Sequence, residues 1–263
     1  MTQLKRLNIP KILEPFRVQL EKSAIDYAEI IVRNEQPAIT ASKFAGNPYL
    51  PQAKKHPKDT NGQYMPLLAQ INFSEFSLPS PFPQQGLLQF FISVNAYQFT
   101  PLTNTFNRQS DFKVRYYKTT DEASIIDFSY AVNNKVPFPI TKEYALYFVE
   151  GIEPVSATDY RLTKFIPNAN SYISEDGQSF EDIYLSTFLG ADHKIGGYPY
   201  FIEEDIRQLN PHLKSYDTLL LQIISNDEEG IMWGNSGIVS FLINSERLKQ
   251  LDFTDIYFYS DQY

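Results

Sequence analysis

The sequence predicts an α+β fold, rich in strands and internally duplicated, with two similar helix-plus-strands copies packed about a pseudo-two-fold axis. Three observations carry this. The tract Ser42-Lys-Phe-Ala-Gly-Asn-Pro-Tyr-Leu-Pro51 returns as His193-Lys-Ile-Gly-Gly-Tyr-Pro-Tyr-Phe-Ile202, with Lys43, Gly46, Pro48 and Tyr49 matching Lys194, Gly197, Pro199 and Tyr200. A content of 20 Phe and 18 Tyr favours pleated, half-buried surfaces over helical bundles. The 17 prolines interrupt any long helix.

The elements follow in order. Ile12, Leu13, Phe16, Leu20, Ala24, Tyr27, Ile30 and Ile31 recur at mostly helical spacing, which predicts a leading helix over residues 10–36, with Pro15 near its start. Copy one spans residues 37–118. Its Gly-Pro tract is a turn, since Gly takes positive φ and Pro fixes φ. Leu67-Leu-Ala-Gln-Ile71 then predicts a strand, with Leu67, Ala69 and Ile71 on one face and Leu68, Gln70 and Asn72 on the other. Gly86-Leu-Leu-Gln-Phe-Phe-Ile92 reads as a strand buried on both faces, and Val114-Arg-Tyr-Tyr117 closes the copy.

Residues 119–178 form a connector with a strand over 140–149. Copy two spans residues 179–263. It opens with a helix that Ser179 caps, and Asp182 stands at its third position. Leu219-Leu-Leu-Gln-Ile223, Gly237-Ile-Val-Ser-Phe-Leu-Ile243 and Ile256-Tyr-Phe-Tyr259 repeat the three strands. Gly46 and Gly86 are as far apart as Gly197 and Gly237. Asp111 lies further from Gly86 than Asp252 does from Gly237, so copy one carries an extra hairpin or loop around residues 96–105. Copy two has Ser245-Glu-Arg-Leu-Lys-Gln-Leu251 there, a short helical turn by propensity. Each copy is too small to bury its faces alone, so one compact body over residues 1–263 is expected.

Composition excludes several chemistries. The chain has no cysteine, which removes disulfides, thiolate metal sites and thiol nucleophiles. Its net charge of -8 opposes nucleic-acid binding. The one basic cluster, Lys54-Lys55-His56-Pro57-Lys58, reads as a solvated loop. No apolar run reaches membrane-span length and the basic N-terminal residues lack an apolar leader core, so a cytoplasmic protein without membrane contact is expected.

No phosphate-binding glycine loop or nucleophile elbow is present, and His56, His193 and His212 lack metal-ligand spacing. Ser174-Glu-Asp-Gly177 fails as a calcium loop, because Tyr172 and Ile183 fall at its end ligand positions. Asn226-Asp-Glu-Glu-Gly230 reads as an acidic turn. Neither metal nor cofactor is expected, and no residue is assigned a catalytic role.

The candidate ligand-binding residues are Lys43, Lys194, His193, Gln70, Gln222, Trp233 and Asn235. A two-fold axis would carry Lys43 and Lys194 toward one cleft, where two ammonium groups favour an anion; the plainer reading has each lysine serve its own turn or solvent. Gln70 and Gln222 interrupt apolar strands, and a buried amide needs partners, so they tie the Gly-Pro turns to the sheet or meet a ligand. Trp233, matched by Phe82, is a packing plug or a recognition residue.

The phrases Ser42-Lys-Phe-Ala-Gly-Asn-Pro-Tyr-Leu-Pro51, Pro66-Leu-Leu-Ala-Gln-Ile-Asn72, Gly86-Leu-Leu-Gln-Phe-Phe91, His193-Lys-Ile-Gly-Gly-Tyr-Pro199, Leu221-Gln-Ile-Ile-Ser225 and Met232-Trp-Gly-Asn-Ser-Gly237 resemble the YwqG family of uncharacterised bacterial proteins. The chain departs from it with His56-Pro57 where Trp-Pro is preferred and Asn235 where Asp is common, which weakens any catalytic carboxylate there. The resemblance implies a duplicated α+β fold in a cytosolic bacterial protein and brings no established activity. The leading expectation is a cytosolic, non-enzymatic binding or protein-interaction protein, with another protein as the candidate partner. The alternative is a binder of small anionic ligands, or an enzyme, using a cleft between the copies.

Overall fold

The computed structural model describes residues 7–93, 109–131 and 138–262. Ten strands form one antiparallel sheet: β1 (Ile25–Arg33), β2 (Lys43–Phe44), β3 (Leu67–Asn72), β4 (Leu87–Ile92), β5 (Phe112–Tyr117), β6 (Tyr144–Glu153), β7 (Lys194–Gly196), β8 (Thr218–Ile224), β9 (Gly237–Ile243) and β10 (Ile256–Gln262). Their order is β10-β9-β8-β7-β1-β6-β2-β3-β4-β5. With five short α-helices beside it among the described residues, the architecture is α+β: α1 (Arg17–Ser23), α2 (Leu162–Phe165), α3 (Phe180–Thr187), α4 (Ile206–Leu209) and α5 (Ser245–Lys249). The stretch over residues 96–105 lies outside the described residues.

The leading helix is much shorter than its apolar spacing predicts. A 3-10 turn over Lys11–Phe16 contains Pro15 and runs into α1, which ends at Ser23. Ala24 is extended, and Ile25, Tyr27, Ile30, Ile31 and Val32 continue as β1. The run of β-branched and aromatic residues, paired on both edges, overrides the helical period. Strand β1 pairs with β6 from Ile25↔Glu153 to Arg33↔Ala145 and with β7 through Tyr27, Ala28 and Glu29. It therefore precedes β2 in the chain yet lies against β7, while β6 precedes β7 and lies against β2.

Other expectations hold locally. Ser179 caps α3 by accepting from the Asp182 N–H, and Asn244 caps α5. The connector strand starts at Tyr144 rather than residue 140. The facing pattern of the glutamine strands needs correction. A register shift between Leu67 and Ala69 lets Leu68, Ala69 and Ile71 all enter the main core, and a shift between Leu219 and Leu221 does the same for Leu220, Leu221 and Ile223. A β-bulge offers two side chains where its partner offers one.

The main core fills the concave side of the sheet. Phe90 and Phe241 approach to 4.8 Å between ring centroids, and Phe112 and Phe258 to 5.7 Å. These rings come from strands at opposite ends of the order, so the sheet curls until its ends meet. On the convex side, Tyr200, Phe201 and Tyr216 cover the β8–β10 flank, and Met65 with Leu67 and Phe91 covers part of the β3–β4 flank. A further cluster joins Leu13 and Leu20 of the N-terminal turn to Phe180, Ile183 and Tyr184 of α3.

Candidate functional site

The two repeated tracts form matching polar clamps. On the convex face Lys43 stands opposite Gln70, and Lys194 opposite Gln222. Gln70 Oε1 accepts from the Tyr49 N–H at 2.9 Å while its Nε2 donates to the carbonyls of Ile39 and Ala41, both at 2.8 Å. Gln222 Oε1 accepts from the Tyr200 N–H at 2.9 Å, and its Nε2 donates to the Gly190 and Asp192 carbonyls, both at 2.9 Å. Both amides are fully buried and held by backbone. Beside Gln70, Gln89 extends the clamp, donating to Gln70 Oε1 and the Tyr49 carbonyl.

Each lysine is also buried and carries its own counter-charge. Lys43 Nζ lies 3.0 Å from Glu143 and 3.2 Å from the Asn47 carbonyl. Lys194 Nζ meets both Glu153 oxygens at 2.8 and 2.9 Å, and Glu153 accepts from the Tyr198 N–H as well. Burial pushes the Glu153 carboxyl above its ordinary pKa, with Lys194 and the Tyr198 N–H opposing. The glutamates occupy the space beside Gly46 and Gly197, where a Cβ would overlap them, and both glycines have positive φ, 72° and 68°. Lys43 and Lys194 stand three strand steps and four residues apart in register, roughly 20 Å. They do not share a cleft.

His193 is buried against Phe44 with both ring nitrogens engaged. Nδ1 accepts from the Ile224 N–H at 3.1 Å, which places the proton on Nε2, 2.9 Å from Glu229. Trp233 and its counterpart Phe82 both lie in the main core, and Asn235 is exposed in the turn before β9. The structure brings no two of these candidates together beyond each lysine–glutamine pair. Among the described residues no group of three or more His, Cys, Asp or Glu is placed to hold a metal ion.

Two features escaped the sequence reading. The first is a buried charge network. Arg207, fully buried, bonds Asp159 and Asp205 through Nη2, both at 2.7 Å. Asp159 in turn receives Nε and Nη2 of Arg161, both at 2.7 Å. Burial opposes the charge on Asp159, but Arg161 and Arg207 outweigh it and hold its carboxyl below the usual value. Arg161 lies 4.6 Å over the Tyr198 ring and lines a cavity of about 320 Å3 with Ile25, Pro79, Pro81 and Phe82. The Asp205-Ile-Arg207 spacing was the available signal, since Asp205 caps α4 and turns its carboxylate toward Arg207.

The second is the bare centre of the convex face. Tyr147 and Val149 of β6 are 52% and 54% exposed, with half-buried Ile31 across from Tyr147. Glu29 lies opposite Val149, near Asp192, and neither carboxylate has a salt-bridge partner among the described residues. Burial and then Asp192 raise the Glu29 pKa. Burial, then Glu153, Glu29 and Asp192, push the Tyr27 hydroxyl up to about 12. This centre combines an apolar strip with a negative field.

Fold and site together define an α+β protein on one curled antiparallel sheet, its repeated polar residues committed to holding the chain. The chain belongs to the family described as a domain of unknown function (DUF1963), whose model matches residues 42–261. No curated protein matches it. Among the described residues no helix is long and apolar enough to cross a membrane.

Proposed function

We propose that this is a binding protein without catalytic chemistry of its own, and that it recognises another protein through the bare centre of its convex sheet face. The observation that carries this is the exposure of Tyr147 and Val149 in the middle of a ten-stranded sheet whose β8–β10 flank is covered and whose β3–β4 flank is partly covered. Large apolar side chains grouped on a surface mark contact sites. The carboxylates of Glu29 and Asp192, which make no salt bridge among the described residues, define the partner's chemistry, an apolar segment bearing Lys or Arg. Neither nucleic acid nor membrane fits that field.

The same reading takes the chain as a cytoplasmic bacterial protein, which the lack of cysteine and the family resemblance support. It also takes residues 37–118 and 179–263 as duplicated copies about a pseudo-two-fold axis near Ile31 and Tyr147. Support comes from the strand order flanking β1·β6, the two bulges and the two lysine–glutamine clamps.

The test compares partner recovery by the wild type and by Tyr147→Asp/Val149→Asp, with thermal unfolding as a control. Recovery of a basic partner by the wild type alone, at unchanged Tm, is the expected result. Equal recovery by both proteins sinks the surface.

A further inference from the structure

We propose that the cavity lined by Arg161 is a binding site for a small monocarboxylate on an apolar body. The cavity, about 320 Å3, is lined by the Pro79–Phe82 loop, by Gly196, Gly197 and Thr218, and by Ala24 and Ile25. That volume falls in the range of small-ligand sites, roughly 300–1,000 Å3. Ile25, Pro79, Pro81 and Phe82 supply apolar lining, and Arg161 supplies a cation.

Arg161 is held in place as a recognition residue must be. Its Nε and one hydrogen of Nη2 go to Asp159, one hydrogen of Nη1 goes to the Asp217 carbonyl, and its plane packs on Tyr198. By count, Nη1 and Nη2 each keep one N–H that neither Asp159 nor Asp217 takes, and guanidinium donors suit a carboxylate. Buried ion pairs contribute little net stability for their desolvation cost. Here the fully buried Asp159, Arg207 and Asp205 fix the orientation of Arg161, the one partly exposed member. Preorganised donors of this kind raise affinity by removing ordering costs.

Asp26 and Asp217 also line the cavity. The Asp217 carboxylate is spent on the Ser245 N–H and hydroxyl and on Thr218. Their negative charge opposes any anion, and a dianion such as phosphate about twice as strongly as a monocarboxylate. The Ser80 hydroxyl, on an exposed residue, forms no hydrogen bond among the described residues and supplies a further donor at the rim.

The experiment titrates the full chain with 3-phenylpropionate by calorimetry, with its neutral amide and inorganic phosphate as comparison ligands. The expected result is saturable one-to-one binding of the acid. The amide and the Arg161→Gln variant should each bind at least about tenfold more weakly, reflecting lost charge-assisted hydrogen bonds. Ser80→Trp, which fills the rim without touching the charge network, should abolish binding and keeps the test decisive if Arg161→Gln fails to fold. No saturable binding to the wild type, equal binding of acid and amide, or undiminished binding by Ser80→Trp overturns the proposal.

Discussion

Lys194 carries its ammonium fully out of solvent, and the two oxygens of Glu153 make that tolerable. Removing one partner strands the other, so Lys194→Met should cost about 3–5 kcal/mol of unfolding free energy. The double variant Lys194→Met/Glu153→Leu removes both charges and should cost far less than the sum of the single changes. Urea denaturation of the four proteins measures this, and additive losses would show that the pair is not coupled. A second residue ties stability to pH. His56 is buried, its Nε2 donating to the Met65 carbonyl at 2.8 Å, and burial lowers its pKa from 6.5 while the Met65 bond opposes. The unfolded chain takes up the proton first as pH falls, so this contribution is present above 6.5 and is lost as pH drops toward the lower folded value. Between about pH 7.5 and 5.5 the wild type should lose more stability than His56→Gln, read from urea midpoints; parallel losses would dismiss His56 as the titrating group. Both residues are visible in the sequence, but their roles are not. The tract around His56 reads as a basic loop, and Lys54, Lys55 and Lys58 are indeed exposed, yet nothing local says that the histidine turns inward. The glutamines were more legible, because an amide within an apolar strand must find partners wherever it sits.

At the scale of elements, turns and caps were readable and strand partners were not. Positive-φ glycines and an N-cap serine act within a few residues, so Gly46, Gly197 and Ser179 announced their turns and helix. The bulges at Leu67/Ala69 and Leu219/Leu221 depend on the facing strand, and the alternating pattern gave no sign of them. Strand β1 failed for a related reason. Its apolar positions suit either period, and only pairing with β6 and β7 decides between them. The glycines permit a sharper test of element geometry. Gly197 and Gly62 both have positive φ, but a Cβ at Gly197 would strike Glu153, whereas at Gly62 it would meet nothing within 4 Å. Gly62→Ala should therefore cost only the left-handed backbone penalty, about 1–2 kcal/mol. Gly197→Ala adds the displacement of a buried ion pair and should cost about 2 kcal/mol more. Equal thermal shifts for the two variants would mean that Glu153 moves aside freely.

For the whole molecule, the decisive feature is that β1 and β6 stand side by side, β1 against the later strand β7 and β6 against the earlier strand β2. Residues 119–263 contain β6 through β10, but the strand between β6 and β7 is β1, which belongs to the first part of the chain. Without it β7 keeps only its pairing to β8, and β6 has lost its longest partner, nine registered residues from Ile25↔Glu153 to Arg33↔Ala145. The concave core fails in the same fragment, because Phe241 and Phe258 pack on Phe90 and Phe112 from the other end of the sheet. The recurring tracts suggest two units able to stand alone, whereas the place of β1 between β6 and β7 leaves residues 119–263 incomplete. Expressed alone, residues 119–263 should show no cooperative urea transition and poor amide dispersion by NMR. Co-expressed with residues 1–118, they should recover both, since the β1·β6 ladder and the shared aromatic core re-form between the pieces. A cooperative transition in the isolated fragment would mean that residues 119–263 fold without β1 and that the β1·β6 ladder adds to a unit already complete.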